Sequence, residues 1–121
     1  ENELCRAFEN STAFLFPSRM EGFGLAPAEA MACGTPAIVS DRGALPEVVT
    51  NGETGYVLPI DQGAEPWLRA MARLCDDDNL RARLAAAALV DVHERFSWEK
   101  TGRETETTFR RVIAAHRKQM G

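Results

Sequence analysis

Three short apolar runs constrain the fold of this chain more than any other feature. They are residues 13–16, 37–39 and 55–58, and each stops at a proline or at a short polar stretch. Runs this short, without alternating polar residues, are typical of strands buried on both faces of a parallel sheet. The residues between them favour helix, so the sequence predicts an α/β domain in which helices flank a short parallel sheet.

The segments around these runs predict the helices. Residues 3–9 predict a short first helix, and residues 25–33 predict a second helix that tolerates Pro27 in its first turn. Residues 45–49 predict one or two further helical turns. After the third strand the chain has apolar residues at helical spacing, and Ser97 is a good N-cap for a last helix. We therefore expect a helical C-terminal tail.

The predicted sheet is thin. Three parallel strands leave exposed edges, whereas parallel strands are normally covered on both sides. The chain therefore reads as the second part of a larger doubly wound domain whose first strands lie outside residues 1–121. An exposed edge can pair with another copy, so we also expect a homodimer.

Composition and charge limit the classes of function that the chain could have. The chain has 121 residues, 45% of them hydrophobic, which fits one soluble globular domain. Its net charge is −4 and its basic residues are scattered, which argues against nucleic acid as a partner. No signal segment or membrane-spanning run is present, so we expect a cytoplasmic location.

The cysteines suggest neither a metal site nor a disulfide framework. Cys5, Cys33 and Cys75 are widely spaced, and neither they nor other residues have metal-ligand spacing. An odd, scattered set fits buried free thiols in a reducing compartment.

The loop after the first run carries the candidate chemistry. Glu21, Gly22, Phe23, Gly24 and Leu25 connect the predicted strand to the start of the predicted helix. Unpaired N–H groups and the helix dipole at such a start attract phosphate, and glycines let a ligand approach the backbone. In parallel α/β sheets, ligands bind beyond the carboxyl ends of the strands, where this loop lies.

Two carboxylates flank this helix start. Glu21 precedes the helix and Glu29 lies eight positions later, within it. That separation is too long for an adjacent acid pair, but it allows contacts with two parts of one long ligand. Because a carboxylate accepts hydrogen bonds from vicinal hydroxyls, each residue suits a sugar or a ribose.

Residues 16–25 and 29–36 resemble the signature of a large family of retaining glycosyltransferases, the glycosyl transferases group 1 family. These enzymes have two Rossmann-like domains that face a cleft, and their signature is Glu, seven residues, Glu. Glu21 and Glu29 match that spacing. The resemblance covers nearly the whole chain and continues through residues 40–47, 51–59 and 96–98.

The resemblance implies a fold and roles for the matched residues. Residues 1–121 would be the C-terminal part of the nucleotide-sugar-binding domain, a partial Rossmann-like domain of the GT-B type. Glu21, the candidate catalytic residue, would bond hydroxyls of the donor sugar, and Glu29 would hold the ribose diol. The backbone of residues 22–25 would meet the sugar and its phosphates.

The resemblance also implies a reaction. The parent enzyme would move a hexose from a nucleotide-diphosphate sugar to an acceptor with retention, without a metal or another cofactor, in polysaccharide or glycolipid synthesis of the bacterial type. The acceptor domain and the basic pair that clamps the pyrophosphate would lie upstream, so we expect residues 1–121 to be inactive alone. Attachment to a membrane surface would belong to the parent.

Two other readings stay open. The chain could be a natural short binding or interaction module. The version of this alternative with the clearest physical basis is a split-enzyme subunit that a partner chain completes. Its start at Glu1 without a methionine favours a piece of a longer enzyme. A sugar-nucleotide epimerase would share the architecture but fits the Glu21 and Glu29 pattern poorly. The donor base, the sugar and the acceptor are not determined by the sequence.

Overall fold

The structure is a computed structural model that describes residues 2–121, with the backbone alone for Asn2. Strands and helices alternate up to the third strand, and helices follow it. The strands are β1 (Phe14–Phe16), β2 (Ala37–Ser40) and β3 (Gly55–Leu58). The helices are α1 (Asn2–Glu9), α2 (Leu25–Ala32), α3 (Leu45–Val48), α4 (Glu65–Asp76), α5 (Asp78–Arg95) and α6 (Trp98–Met120), and a 3-10 turn covers Ile60–Gln62. The predicted α/β class is confirmed.

The three strands form one parallel sheet in the order β1-β2-β3. Phe14 pairs with Ala37, and Ile38 pairs with Tyr56. All four residues of the central strand β2 are buried, including Ser40, which lies one residue beyond the predicted run of residues 37–39. The prediction that β1 is buried on both faces is wrong, because β1 is an edge strand that pairs with β2 alone in the described residues. Its Leu15 is 37% exposed.

Alternating side chains of β2 point into two separate apolar clusters. Ala37 and Val39 pack on one face with residues of α2, α3 and the end of α5. Ile38 packs on the other face with residues of α4 and the start of α5. The sheet is therefore covered on both sides. The two clusters consist of Ala28, Met31, Ala37, Val39, Leu45, Val48, Val49, Ala88 and Val92, and of Ile38, Trp67, Ala70, Leu74, Leu80 and Leu84.

The helix α6 stands apart from these clusters. It begins as predicted, with the Ser97 hydroxyl accepting a hydrogen bond from the Lys100 N–H. It carries apolar side chains, yet no α6 side chain is buried, and Trp98 is 87% exposed. Across residues 2–121, no helix is both long and apolar enough to cross a membrane.

Candidate functional site

The glycine loop of residues 21–24 leads directly into α2. Gly24 is the N-cap of this helix and has a left-handed backbone with φ 87°. A Cβ added there would lie 3.1 Å from Leu45 Cδ2 and 3.3 Å from Val48 Cγ2. The left-handed backbone therefore favours glycine at this position, and a Cβ would crowd the side chains of α3.

The start of α2 presents unpaired N–H groups. The Gly24 carbonyl accepts the first helical hydrogen bond, from Ala28 N–H at 3.2 Å. Leu25 and Ala26 precede Ala28, so their N–H groups have no acceptor within the helix, and Pro27 has no N–H to offer. Leu25 is exposed and Ala26 is half-buried. The positive end of the helix dipole thus faces solvent next to the loop.

Glu21 is fixed through both its backbone and its side chain. Its carbonyl accepts a hydrogen bond from Ala44 N–H at 3.0 Å. A Cβ on Gly43 would lie only 2.1 Å from that same carbonyl oxygen. The Glu21 carboxylate accepts a hydrogen bond from Gly24 N–H at 3.3 Å through one oxygen. A carboxylate has more lone pairs than this bond uses, so hydrogen-bonding capacity remains for a ligand.

A second set of bonds ties the loop to the end of β2. The Ser40 hydroxyl donates to the Ser18 carbonyl, and the Ser18 hydroxyl donates to the Met20 carbonyl at 2.9 Å. Sequence reasoning did not assign these roles to Ser40 or Gly43. The available signal was that residues 40–43 continue the resemblance, which gave no physical reason for either residue.

The end of α5 braces the loop from the other side. Phe23 packs edge-to-face on Phe96, with ring centroids 5.6 Å apart. Arg95 lies over the Phe96 ring at 4.7 Å and donates to the Glu47 and Val48 carbonyls at 2.6 and 2.7 Å. These bonds satisfy carbonyls at the end of α3. Sequence reasoning missed Arg95, because nothing in its neighbourhood indicates which distant carbonyls it meets.

Glu29 lies on α2, one helical turn beyond Leu25 and on the same side of the helix. Four residues correspond to about 6 Å along the axis. The side chain is exposed, and it borders a depression of about 230 Å³ between α1 and α2. The structure thus gathers residues 21–25 at one helix start and places Glu29 farther along the same helix.

Family comparison decides which proteins share this arrangement. The model of the family described as glycosyl transferases group 1 matches residues 1–90, which include β1, the loop, α2 and the whole sheet. The chain belongs to the group 1 glycosyltransferases.

Individual relatives agree with this glycosyltransferase assignment. A D-inositol 3-phosphate glycosyltransferase from Nocardioides sp. is 39% identical over 94% of this chain and 24% of its own length. The chain therefore spans about a quarter of the length of the curated relatives it matches.

Solved glycosyltransferase structures share the GT-B fold. Sucrose-phosphate synthase from Thermosynechococcus elongatus superposes with a TM-score of 0.84 and 33% identity, over 93% of this chain and 28% of that one. The C-terminal domain of LpcC, a group 1 protein from Francisella tularensis, gives 0.73 and 26%, over 81% and 50%. These likenesses confirm the partial Rossmann-like fold of the GT-B type.

Two arginines close to the glycine loop in sequence or in the fold, Arg19 and Arg42, are paired with carboxylates. Arg42 forms ion pairs with Asp61 and with Asp41, the latter at 3.4 Å, and Arg19 lies 3.9 Å from Asp61. Both arginines are therefore engaged in surface ion pairs. In the part of the chain that the structure describes, no three His, Cys, Asp or Glu side chains gather as metal ligands.

Proposed function

We propose that this chain is the donor-binding part of a retaining glycosyltransferase that moves a hexose from a nucleotide-diphosphate sugar to an acceptor. The observation that carries the proposal is the start of α2. There, a left-handed glycine, exposed N–H groups and a tethered carboxylate meet at the carboxyl end of a parallel strand. This is where α/β sheets bind nucleotides.

The phosphates of the donor would lie against the N–H groups of Leu25 and Ala26. Gly22 supports this placement. A Cβ added to Gly22 would have no atom within 4 Å, and the residue is exposed, so protein packing does not demand glycine there. A ligand that approaches the backbone closely does demand it.

The two carboxylates would hold the two ends of the donor. Glu21 keeps one oxygen on Gly24 N–H and would accept hydroxyls of the sugar with its remaining capacity. Glu29, about 6 Å beyond Leu25 along the helix axis, would accept hydrogen bonds from the ribose diol. The phosphates then lie between them at the helix start, and no metal or other cofactor enters this scheme.

Catalysis by the parent enzyme would rest on stabilising the departing nucleoside diphosphate. Negative charge grows on its phosphate as the sugar bond breaks, and preorganised N–H donors and a helix dipole stabilise such charge. The acceptor domain and the basic clamp would lie in the remainder of a longer enzyme. We therefore expect residues 1–121 to bind donor weakly and to transfer no sugar alone.

The proposal is tested by titrating UDP, GDP and their glucose and mannose conjugates into the chain by calorimetry. We expect one base to bind preferentially. Glu29→Gln should lower the affinity for that nucleotide by about tenfold to a hundredfold, which corresponds to the loss of a hydrogen bond to a charged group.

The matched control is Glu53→Gln. Glu53 is also exposed, but it lies in the turn that precedes β3, at the amino end of the sheet. This variant should bind like the unmodified chain. Equal weakening by both variants, or no binding of any nucleotide at millimolar concentration, would contradict the proposal.

A further inference from the structure

Two cysteines that are 28 positions apart in sequence meet between α1 and α2. The sulfurs of Cys5 and Cys33 lie 2.9 Å apart, and both side chains are half-buried. Cys75, in contrast, is exposed on α4. The expectation of buried thiols is therefore wrong for Cys75. Spacing in sequence also did not reveal that Cys5 and Cys33 meet where α1 packs on the end of α2.

The surroundings leave both sulfurs accessible to small reagents. They border the depression of about 230 Å³ that Glu29 also lines, together with Leu4, Phe8 and Ala32. Half-burial and an open wall allow a disulfide reagent to reach the sulfurs. The packing of α1 on α2 holds the two sulfurs together without a covalent bond between them.

We propose that Cys5 and Cys33 are a dithiol site that closes to an intramolecular disulfide by exchange with a small disulfide such as glutathione disulfide. One of the two protein sulfurs attacks one sulfur of the reagent, the S–S bond of the reagent breaks, and one reduced thiol leaves. The other protein sulfur then attacks the first and releases the second thiol. Two protein thiols are oxidised, one small disulfide is reduced to two thiols, and the protons pass to the leaving thiols.

The hydrogen bond between the two sulfurs, together with burial, raises the pKa of the Cys5 thiol to about 11. Because a protonated thiol is a poor nucleophile, exchange at this site should be faster at alkaline pH than at neutral pH. The resulting bond would fasten α1 to the end of α2, beside Glu29.

Peptide mapping tests the site directly, because trypsin separates the three cysteines. Cys5 falls in residues 1–6, Cys33 in residues 20–42 and Cys75 in residues 74–81. The folded chain is treated with excess glutathione disulfide at about pH 8, blocked with N-ethylmaleimide and digested without reductant. We expect the 1–6 and 20–42 peptides to be linked in at least tenfold excess over any link that includes Cys75.

The same reaction in concentrated guanidinium is the reference. Loop-closure entropy alone favours the 28-residue Cys5–Cys33 loop over the 42-residue Cys33–Cys75 loop by only about twofold. Cys75→Ser should leave the native link unchanged, whereas Cys33→Ser and Cys5→Ser should each abolish it. Glutathione adducts without a link, or the same link distribution with and without guanidinium, would overturn the proposal.

Discussion

The stretch from β1 to β3 and the last helix, α6, use apolar residues in opposite ways. In residues 14–58, α2, the central strand and α3 each bury apolar side chains completely, among them Met31, Ile38 and Leu45. In α6, apolar side chains recur on one face, yet none of them is buried. The apolar spacing of α6 thus predicts a helix but does not show what covers its apolar face. Only packing within the chain shows whether the stripe already has a partner.

The difference matters for function because the residues of the candidate site, 21–29, lie in the first of these two regions, where α2 packs on the core. Glu21 is fixed by the Gly43–Ala44 backbone, and Gly24 packs on Leu45 and Val48. The geometry of the glycine loop therefore depends on interactions within these residues, together with Phe96 and Arg95 at the end of α5. The helix α6 contributes no buried side chain to this arrangement.

Two glycines that share a left-handed backbone should differ most in their sensitivity to substitution by alanine. Gly43→Ala adds a Cβ 2.1 Å from the Glu21 carbonyl oxygen, in addition to backbone strain at φ 56°. We expect it to lower the free energy of unfolding by about 4 kcal/mol. Gly52→Ala, at φ 79° in open space, should cost about 1 kcal/mol. Chemical denaturation measures both, and equal losses would show that the contact with Glu21 is not constraining.

A second test compares the apolar stripes of α5 and α6. Leu84→Ala removes a fully buried side chain from the cluster beneath Ile38 and should cost about 3 kcal/mol. Ile113→Ala removes a side chain that is 51% exposed and should change stability by less than about 0.5 kcal/mol. Urea unfolding curves give both values. A large loss for Ile113→Ala would mean that the apolar face of α6 is covered in solution, in contrast to its exposure in this structure.

How much of this could be predicted from the sequence depends on the range of the interactions. The residues of β3 were predicted in full, and Ser97 was predicted as an N-cap, because local patterns determine both. The exposure of Leu15 on β1 was not predicted, since burial of a strand depends on its neighbours in the sheet. The same reasoning applies to α6, whose apolar stripe gave no information about its partner.

The candidate site divides in the same way. The loop at Glu21–Leu25 and its connection to α2 followed from glycine placement and from the resemblance. The supports of the loop, Ser40, Gly43 and Arg95, were missed because each acts on a residue more than 20 positions away. Contacts over such distances are properties of the fold rather than of local sequence patterns.

The N-caps of α5 and α6 should contribute differently to the stability of the fold. Asp77 Oδ1 accepts a hydrogen bond from Leu80 N–H at 2.9 Å at the start of α5, and Ser97 caps α6. Asp77→Ala should cost about 1 kcal/mol of global stability. Ser97→Ala should reduce helical circular dichroism and leave the main thermal transition unchanged, since the side chains of α6 are not buried. A common shift of both signals in Ser97→Ala would contradict the separation of α6 from the core.

The smallest expected change in stability accompanies a change in binding. Gly22→Ala places a Cβ in open space, so its free energy of unfolding should stay within about 0.5 kcal/mol of the unmodified chain. If a nucleotide approaches this backbone, its affinity should nevertheless fall by tenfold or more. Denaturation and calorimetry on one preparation separate the two effects. Unchanged affinity would remove Gly22 from the donor site.

Amide chemical shifts show directly whether a nucleotide binds at the start of α2. Uniformly 15N-labelled chain is titrated with UDP and, separately, with GDP, and the shift changes are mapped by residue. We expect the largest changes at the N–H groups of Gly22, Phe23, Gly24, Leu25 and Ala26, with smaller ones near Glu29. Changes centred elsewhere, for example on residues 69–79 between α4 and α5, or no saturable change with either nucleotide, would contradict this expectation.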